Sequence, residues 1–489
     1  MIHSNLKFHC LALIGAALLL LVILPYKLGF SPDSIAYMEV TENLVSGNGI
    51  TDNEGHLVNH WPPLFPMLVS FVATIINVEI LQAGLILQIF LFYLFLLINM
   101  LILRELKVNH KLIIFFGISL IFSQVSVNFL NFLSEGLFLV LLSFSFYFFL
   151  RWIQTGKSLN LYFCSLACGL FFLSRYAGIA FLGCYSLFIL FFPEEKVVQR
   201  FKNLFGFLFT FMLTISPWFI YQNFFDTPPV GREIAIHLIP VGKLQDMFIT
   251  FGYWFLGSRL AIVLFTGVFL FYLLKIKVIK KYALETYKTN RSAIFIIVLF
   301  LILYPAFLII SISFFDFWTP MTNRILSPLL SFLLILIFLF FQKLWRNGEN
   351  KLAYAGIVFL FLSFSSSLFP VLKNHYLSGG GYAKKMWVES ETLSFLKDQN
   401  PNILTYSNGV ELGKLHLQQD FELLPKMNED LKMENLKENI CRGEAQIVFL
   451  NEVNWRNYLV NEHWLRENFN KNYFIPLEDG FILRKISDE

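Results

Sequence analysis

Eleven apolar stretches, each long enough or nearly long enough to meet the roughly 20 residues a membrane-spanning helix needs, constrain this chain more than any other feature. They lie near residues 9–28, 80–103, 111–128, 131–150, 160–174, 177–193, 204–221, 255–275, 292–313, 325–342 and 352–370. The 489 residues are 56% hydrophobic, 18% aromatic and only 15% charged, with a mean hydropathy of +0.61. So few charges cannot cover a soluble globule of this size. The expectation is a polytopic α-helical membrane protein with about eleven transmembrane helices, and no nucleic-acid partner. The first run follows Lys7 and has no small-residue cleavage signature before Pro25, so it reads as an uncleaved signal anchor with a cytoplasmic N-terminus.

One segment, "PPLFPMLVSFVATIINV" at 62–78, is apolar but short and begins with a helix-initiating proline pair. The charge distribution decides how to treat it. If it stays outside as a juxtamembrane or re-entrant helix, alternate loops carry 18 Lys and Arg, from Lys7 to Lys351, against 6 on the opposite side (Lys27, Arg175, Arg232, Lys243, Arg259 and Arg324). That asymmetry matches the cytoplasmic enrichment of basic residues. Counting 62–78 as a span would put the basic loops outside. The parity also sends everything after residue 370 outside.

Composition changes there as well. Residues 1–372 hold 24 basic against 16 acidic residues, and 373–489 hold 14 against 18. We expect a transmembrane domain over 1–372, with an outer loop at 29–79, and a small extracytoplasmic α/β domain over 373–489. In the latter, "ETLSFLKDQ" and "NEHWLRENF" have helical spacing, whereas "NILTYS", "AQIVFL" and "GFILRK" are β-rich. "LSGGGYAKK" at 377–385 reads as a flexible entry, since no strand, lysine-terminated phosphate loop or helix frames its glycines.

Ionisable residues gather on the expected outer side. Asp33 follows the first span, Glu135 opens the fourth in "NFLSEGLF", Arg175 sits in the corner "LSRYAG", and "FFDFWTPMTNRILSP" carries Asp316 and Arg324. "PWFIYQNFFDTPPVGRE" adds Trp218, Asn223 and Arg232. The middles of the spans are almost free of charge, which favours chemistry at the interface over a route through the bilayer. Each residue also has a plainer reading: Asp33 as a helix cap, Arg175 as a headgroup anchor, Arg324 as a snorkelling side chain. Glu135 is harder to dismiss, because an unpaired carboxylate beside an apolar run is costly. Cations beside carboxylates are what a phosphate-bearing substrate and an acid–base step require. The five cysteines form no disulfide or zinc pattern, and the i, i+4 pair Cys164 and Cys168 reads as packing.

Taken in order, "PDSIAYMEVTENLVSGNG", "WPPLFPML", "SEGLF", "LSRYAGIA", "SPWFIYQN" and "NRILSP" resemble the membrane-embedded GT-C glycosyltransferases over about residues 5–340. The likeness is to the bacterial branch grouped with the dolichyl-phosphate-mannose protein mannosyltransferases and the aminoarabinose transferases of lipid A. The resemblance implies a GT-C fold and an inverting transfer of a monosaccharide from a polyprenyl-phosphate donor to a lipid, glycan or protein acceptor. It also implies a multi-pass protein of the bacterial inner membrane or plasma membrane with an outward-facing site. By position, Asp33 matches the first-loop acid that serves as general base or orients the acceptor, and Glu135 the second acidic position. Arg175 and Arg324 match arginines that would hold the donor phosphate, and Tyr37, Trp61, Tyr176 and Asp316 would position donor or acceptor. Two departures stand out. Asp33 is followed by Ser34 where many relatives have a second acid, so no catalytic metal and no cofactor are expected. Trp61, preceded by His60, stands where the aminoarabinose transferases have a lysine, so His60 or Arg324 would supply that charge. The competing readings are a lipid or polysaccharide transporter or flippase, and a membrane scaffold.

Overall fold

The computed structural model of the protein describes residues 2–191, 195–225, 236, 238–315, 319–397 and 403–485. Asp316 and Arg232 lie outside them. The chain divides into two compact units: Met1–Pro25 with Ala36–Tyr376, and Tyr26–Ile35 with Leu377–Glu489.

The first unit is helical. Its elements are α1 (Ile2–Ile23), α2 (Pro32–Val45, begun in the second unit), α3 (Leu64–Ile76), α4 (Ile80–Glu105), α5 (His110–Ile121), α6 (Glu135–Thr155), α7 (Ser158–Ser174) and α8 (Ile179–Phe191). They continue with α9 (Val197–Gln222), α10 (Val241–Leu256), α11 (Arg259–Leu274), α12 (Ile276–Thr289), α13 (Arg291–Phe314), α14 (Asn323–Arg346) and α15 (Asn350–Ser378). A helix stands at each of the eleven apolar runs. Among the described residues, seven helices are long and apolar enough to cross a bilayer, or eight if α10 and α11 together make one bent span. The protein is a multi-pass membrane protein. Helices α3, α5, α7 and the stretch Tyr176–Phe191 are apolar but shorter; the 13 residues of α3 rise only about 20 Å, less than the roughly 30 Å hydrocarbon core.

The sequence reading missed α10, which precedes the run at 255–275 and meets its helix, α11, at 77°. The break has a local cause: Gly257 ends α10, and the Ser258 hydroxyl accepts the Ala261 N–H at 3.0 Å, capping a new helix. Phenylalanine serves two purposes. Phe146, Phe181, Phe300 and Phe332 are buried and meet ring to ring, with Phe300 and Phe332 centroids 4.8 Å apart, whereas Phe201, Phe205 and Phe209 line an exposed stripe of α9.

The second unit carries a five-stranded sheet in the order β2-β1-β3-β5-β4, with β1 Leu404–Ser407, β2 Glu422–Leu423, β3 Ala445–Leu450, β4 Phe474–Leu477 and β5 Gly480–Leu483. Strand β1 pairs parallel with β2 and β3, and β5 pairs antiparallel with β3 and β4. Five short helices surround it: α16 (Lys385–Val388), α17 (Glu391–Lys397), α18 (Val410–Leu412), α19 (Asp430–Arg442) and α20 (Glu462–Asn468). Leu436 and Ile440 of α19 pack with Ile447 of β3 and Leu483 of β5 in its core.

The glycine run is not the flexible entry the sequence suggests. Phe30 N–H donates to Gly380 O at 3.3 Å, and Tyr382 N–H donates to Phe30 O at 2.9 Å, forming a parallel bridge between Phe30 and Gly381. Gly381 has φ +56°, and a Cβ there would lie 1.8 Å from the Phe30 carbonyl oxygen. Only glycine tolerates both the backbone and the approach.

Candidate active site

The N-terminus of α6 gathers the charges. Arg175 Nη1 donates to Glu135 Oε1 at 2.5 Å, and Arg324 Nε donates to the same oxygen. Glu135 Oε2 has no hydrogen-bond partner among the described residues. The carboxylate side chain is 4% exposed, against 21% for Arg175 and 31% for Arg324. Two part-open guanidiniums therefore lean on one buried carboxylate. Guanidinium groups placed side by side in this way match the geometry of an oxyanion that binds two donors at once.

Each of the three side chains is set by local structure. Glu135 is the first residue of α6, where a carboxylate complements the helix dipole. The turn ahead of it is held by Gln88 on α4, whose amide donates to Asn131 O at 3.0 Å and Leu133 O at 2.6 Å. Gly136 makes room for that amide, since a Cβ there would come 2.5 Å from Gln88 Oε1. Arg175 breaks α7 in extended conformation, φ −152° and ψ 124°. Arg324 lies in the first turn of α14, where Pro328 cannot donate to its carbonyl; the Ser327 hydroxyl bonds that oxygen at 3.4 Å. Tyr304 of α13 donates to Ile325 O at 2.9 Å beside it.

Tyr37 joins through Ser134: the two hydroxyls are 3.0 Å apart, and Arg175 Nη1 lies 3.5 Å from the same Ser134 oxygen. Trp61 meets the Tyr37 ring edge-on at 6.2 Å, and His60 meets Trp61 at 4.7 Å. Tyr176 donates to Asn59 O at 3.1 Å and accepts the Trp218 indole N–H at 3.1 Å. Through these rings, Trp61 and His60 connect to Tyr37, and Tyr176 connects to the backbone of Asn59 and to Trp218. Sequence reasoning passed over Ser134 and Gln88; a serine just ahead of the second acid in "SEGLF" was the available sign of the first. Gln88, inside an apolar run, was marked only by the cost of burying an amide.

Asp33 stands in the first turn of α2, within the stretch that packs with the second unit. Ser31, not Asp33, begins the helix: Pro32 is its first residue, and Ser31 N–H donates to Ser34 Oγ at 3.0 Å, one arm of a capping box. Among the described residues, no three His, Cys, Asp or Glu side chains form a cluster able to hold a metal ion.

No protein-family model matches the chain, and no curated protein does. Solved structures do. ArnT from Cupriavidus metallidurans bound to undecaprenyl phosphate superposes with a TM-score of 0.60 over 99% of this chain and 98% of its own, at 10% identity. Its apo form gives 0.61 over 98% and 97%, at 11% identity. The archaeal oligosaccharyltransferase AglB from Archaeoglobus fulgidus, in complex with an inhibitory peptide and a dolichol-phosphate, gives 0.52 over 91% and 69%, at 12% identity. At such low identity the likeness is one of architecture alone, and it covers nearly all of the chain: the fold is ArnT-like.

Proposed function

We propose that the protein is an inverting glycosyltransferase that moves a monosaccharide from a polyprenyl-phosphate carrier to a lipid, glycan or protein acceptor on the outer face of the membrane. The observation that carries this reading is the shared carboxylate: Arg175 and Arg324, both part-exposed, bond one oxygen of buried Glu135, which brings two guanidiniums together. A lipid-linked donor is supported by the two kinds of fold neighbour, one bound to undecaprenyl phosphate and one to a dolichol-phosphate.

In this reading the acceptor hydroxyl oxygen attacks the anomeric carbon from the face opposite the phosphate. The carbon–oxygen bond to phosphate breaks, and polyprenyl phosphate leaves with the electron pair. Asp33 takes the acceptor's proton. Arg324 and Arg175 bear the charge growing on the leaving phosphate, which a site bordering lipid strengthens, and His60 adds a further donor. Glu135 orients both guanidiniums. Tyr37, Trp61, Tyr176 and Asp316 position the sugar or acceptor. We propose that the step needs no resident divalent cation, because Asp33 is followed by Ser34 and not by a second acid.

The accompanying topology has eleven crossings, in which α5, α7 and α8 cross and α3 does not. Residues 1–372 form the transmembrane catalytic part, the N-terminus lies inside, and residues 373–489 lie outside, in the periplasm or exterior. Its support is the 18-to-6 division of basic residues. Glu135 opens the 21-residue α6. Its far end, about 30 Å away, adjoins a cavity of about 570 Å³ lined by Lys107, Lys343 and Arg346.

The test is release of labelled sugar from a panel of undecaprenyl- and dolichyl-phosphate monosaccharides, with candidate acceptors present, by the full chain in lipid. Wild type is expected to turn over at least one donor equally well with and without EDTA. Asp33→Asn should lose about 10²–10⁴-fold while folding and inserting normally. Equal turnover by both proteins would remove Asp33 as the base, and a scaffold or flippase would release no sugar at all.

A further inference from the structure

Helix α10 touches the entrance to α14 through one stripe of its surface. Lys243, Met247, Thr250 and Trp254 recur at spacings of 4, 3 and 4 residues, which places them on one helix face. Met247 and Trp254 are the buried residues of α10. Three side chains of this stripe donate, in order, to three successive acceptors in the segment that runs into α14. Lys243 Nζ donates to Thr319 O at 3.0 Å, Thr250 Oγ1 to Met321 O at 3.2 Å, and Trp254 Nε1 to Asn323 Oδ1 at 2.8 Å. The rungs advance two residues at a time along an incoming strand of chain, and the last ends on the residue immediately before Arg324. Asn323 passes the constraint on, because its own amide donates to Gln124 O at 2.9 Å. Met321 between the rungs is fully buried. The far end of α10 is itself anchored to α15: Ser363 Oγ donates to Phe255 O, and the Ser258 and Ser366 hydroxyls lie 2.6 Å apart.

We infer that α10 is a positioning element for Arg324: the Lys243, Thr250 and Trp254 ladder fixes the 319–323 segment and with it the guanidinium that shares Glu135 with Arg175. The inference rests on the phosphate-binding role given to Arg324 above. An arginine in the first turn of a helix takes its direction from where that turn begins, and α14 has no side-chain hydrogen bond at its N-cap residue Thr322. The ladder supplies the fixation that the cap does not.

Two measurements on the full chain in phosphatidylcholine nanodiscs test this. The first is hydrogen exchange over residues 319–326 without ligand. Thr250→Val and Trp254→Phe each remove one donor while keeping bulk, and both should speed exchange there at least several-fold while leaving α6 and α13 unchanged. Wild-type exchange in both variants would overturn the ladder, whether or not the protein binds any phosphate. The second is affinity for undecaprenyl phosphate. Each variant should weaken binding about three- to tenfold, the range of one hydrogen bond. Thr250→Ser, which keeps the donor, should restore it to within twofold. In an Arg324→Ala background, Thr250→Val should have no further effect, because the ladder acts through that arginine. An undiminished effect in that background would show that α10 is a stabilising strut only. If Arg324→Ala itself binds undecaprenyl phosphate like wild type, the functional reading of Arg324 fails, and the exchange experiment still decides the ladder.

Discussion

Among the described residues a buried Glu–Arg group stands in each unit, and the two are built differently. In the second unit Arg456 meets Glu411 one to one. Its two Nη groups reach Oε1 at 2.5 Å and Oε2 at 3.0 Å, and Nη1 also donates to Asn408 O at 2.9 Å. The pair is neutral and closed, with side chains 13% and 8% exposed. In the helical unit Glu135 serves two arginines with one oxygen and leaves the other without a partner among the described residues. A closed pair has nothing left to offer a ligand and acts as a fastener. A carboxylate shared between two part-exposed guanidiniums instead brings two cationic groups to one place near the surface.

The sharpest test of the contrast is to remove one arginine from each. Arg324→Ala should cost about 10²–10³-fold in sugar transfer, the scale of losing one donor to a developing oxyanion, with only a small change in Tm. Arg456→Ala should do the reverse, destabilising the second unit by about 3–5 kcal/mol through an orphaned buried carboxylate while sparing turnover per folded molecule. Thermal unfolding measured beside turnover decides it; if Arg324→Ala lowered Tm as much as Arg456→Ala and spared transfer, both groups would be fasteners.

A smaller effect is expected from the carboxylates. Glu135→Gln raises the local charge by one and loosens both guanidiniums. KM for the donor should fall or hold while kcat drops about tenfold, as when ground-state attraction outgrows transition-state alignment. Glu411→Gln should leave both constants alone and lower Tm. Steady-state kinetics on the two variants separates the cases.

The smallest effect is a pH dependence confined to the second unit. His416 is held below its ordinary pKa of 6.5, chiefly by burial and also by Lys397, with an opposing contribution from the Tyr382 carbonyl, which lies 2.8 Å from Nε2. The folded state therefore binds the proton less readily than the unfolded one. This contribution to stability is full above pH 6.5 and is lost as pH falls toward the folded value. His416→Gln should flatten the thermal stability curve below pH 6.5; an unchanged slope would mean that His416 is not its source.

Not every element was legible in the chain. Strands β1, β3 and β5 announced themselves by composition, but β2 and β4 did not. Strand β2 is two exposed residues long. Strand β4 contains Pro476 and forms a sheet edge, a place where a proline reads as a breaker yet is tolerated. The glycines at 379–381 read as slack because glycine lacks a side chain. The same lack lets Phe30 approach the chain, a fact that depends on residues some 350 positions away.

The sequence alone determined that this protein lives in a membrane and roughly where its helices run. Apolar length and charge bias are local properties that the bilayer acts on directly. It also marked Glu135, Arg175 and Arg324 singly, the two arginines with plainer readings as headgroup contacts. That the three share a single oxygen, although Glu135 is 40 residues from Arg175 and 189 from Arg324, was decided by tertiary structure, as were the grip of Gln88 on the turn before Glu135 and of α10 on the turn before Arg324. Hydrogen bonds between distant segments depend on angstrom-scale packing of several helices at once, and no local pattern in the chain encodes that.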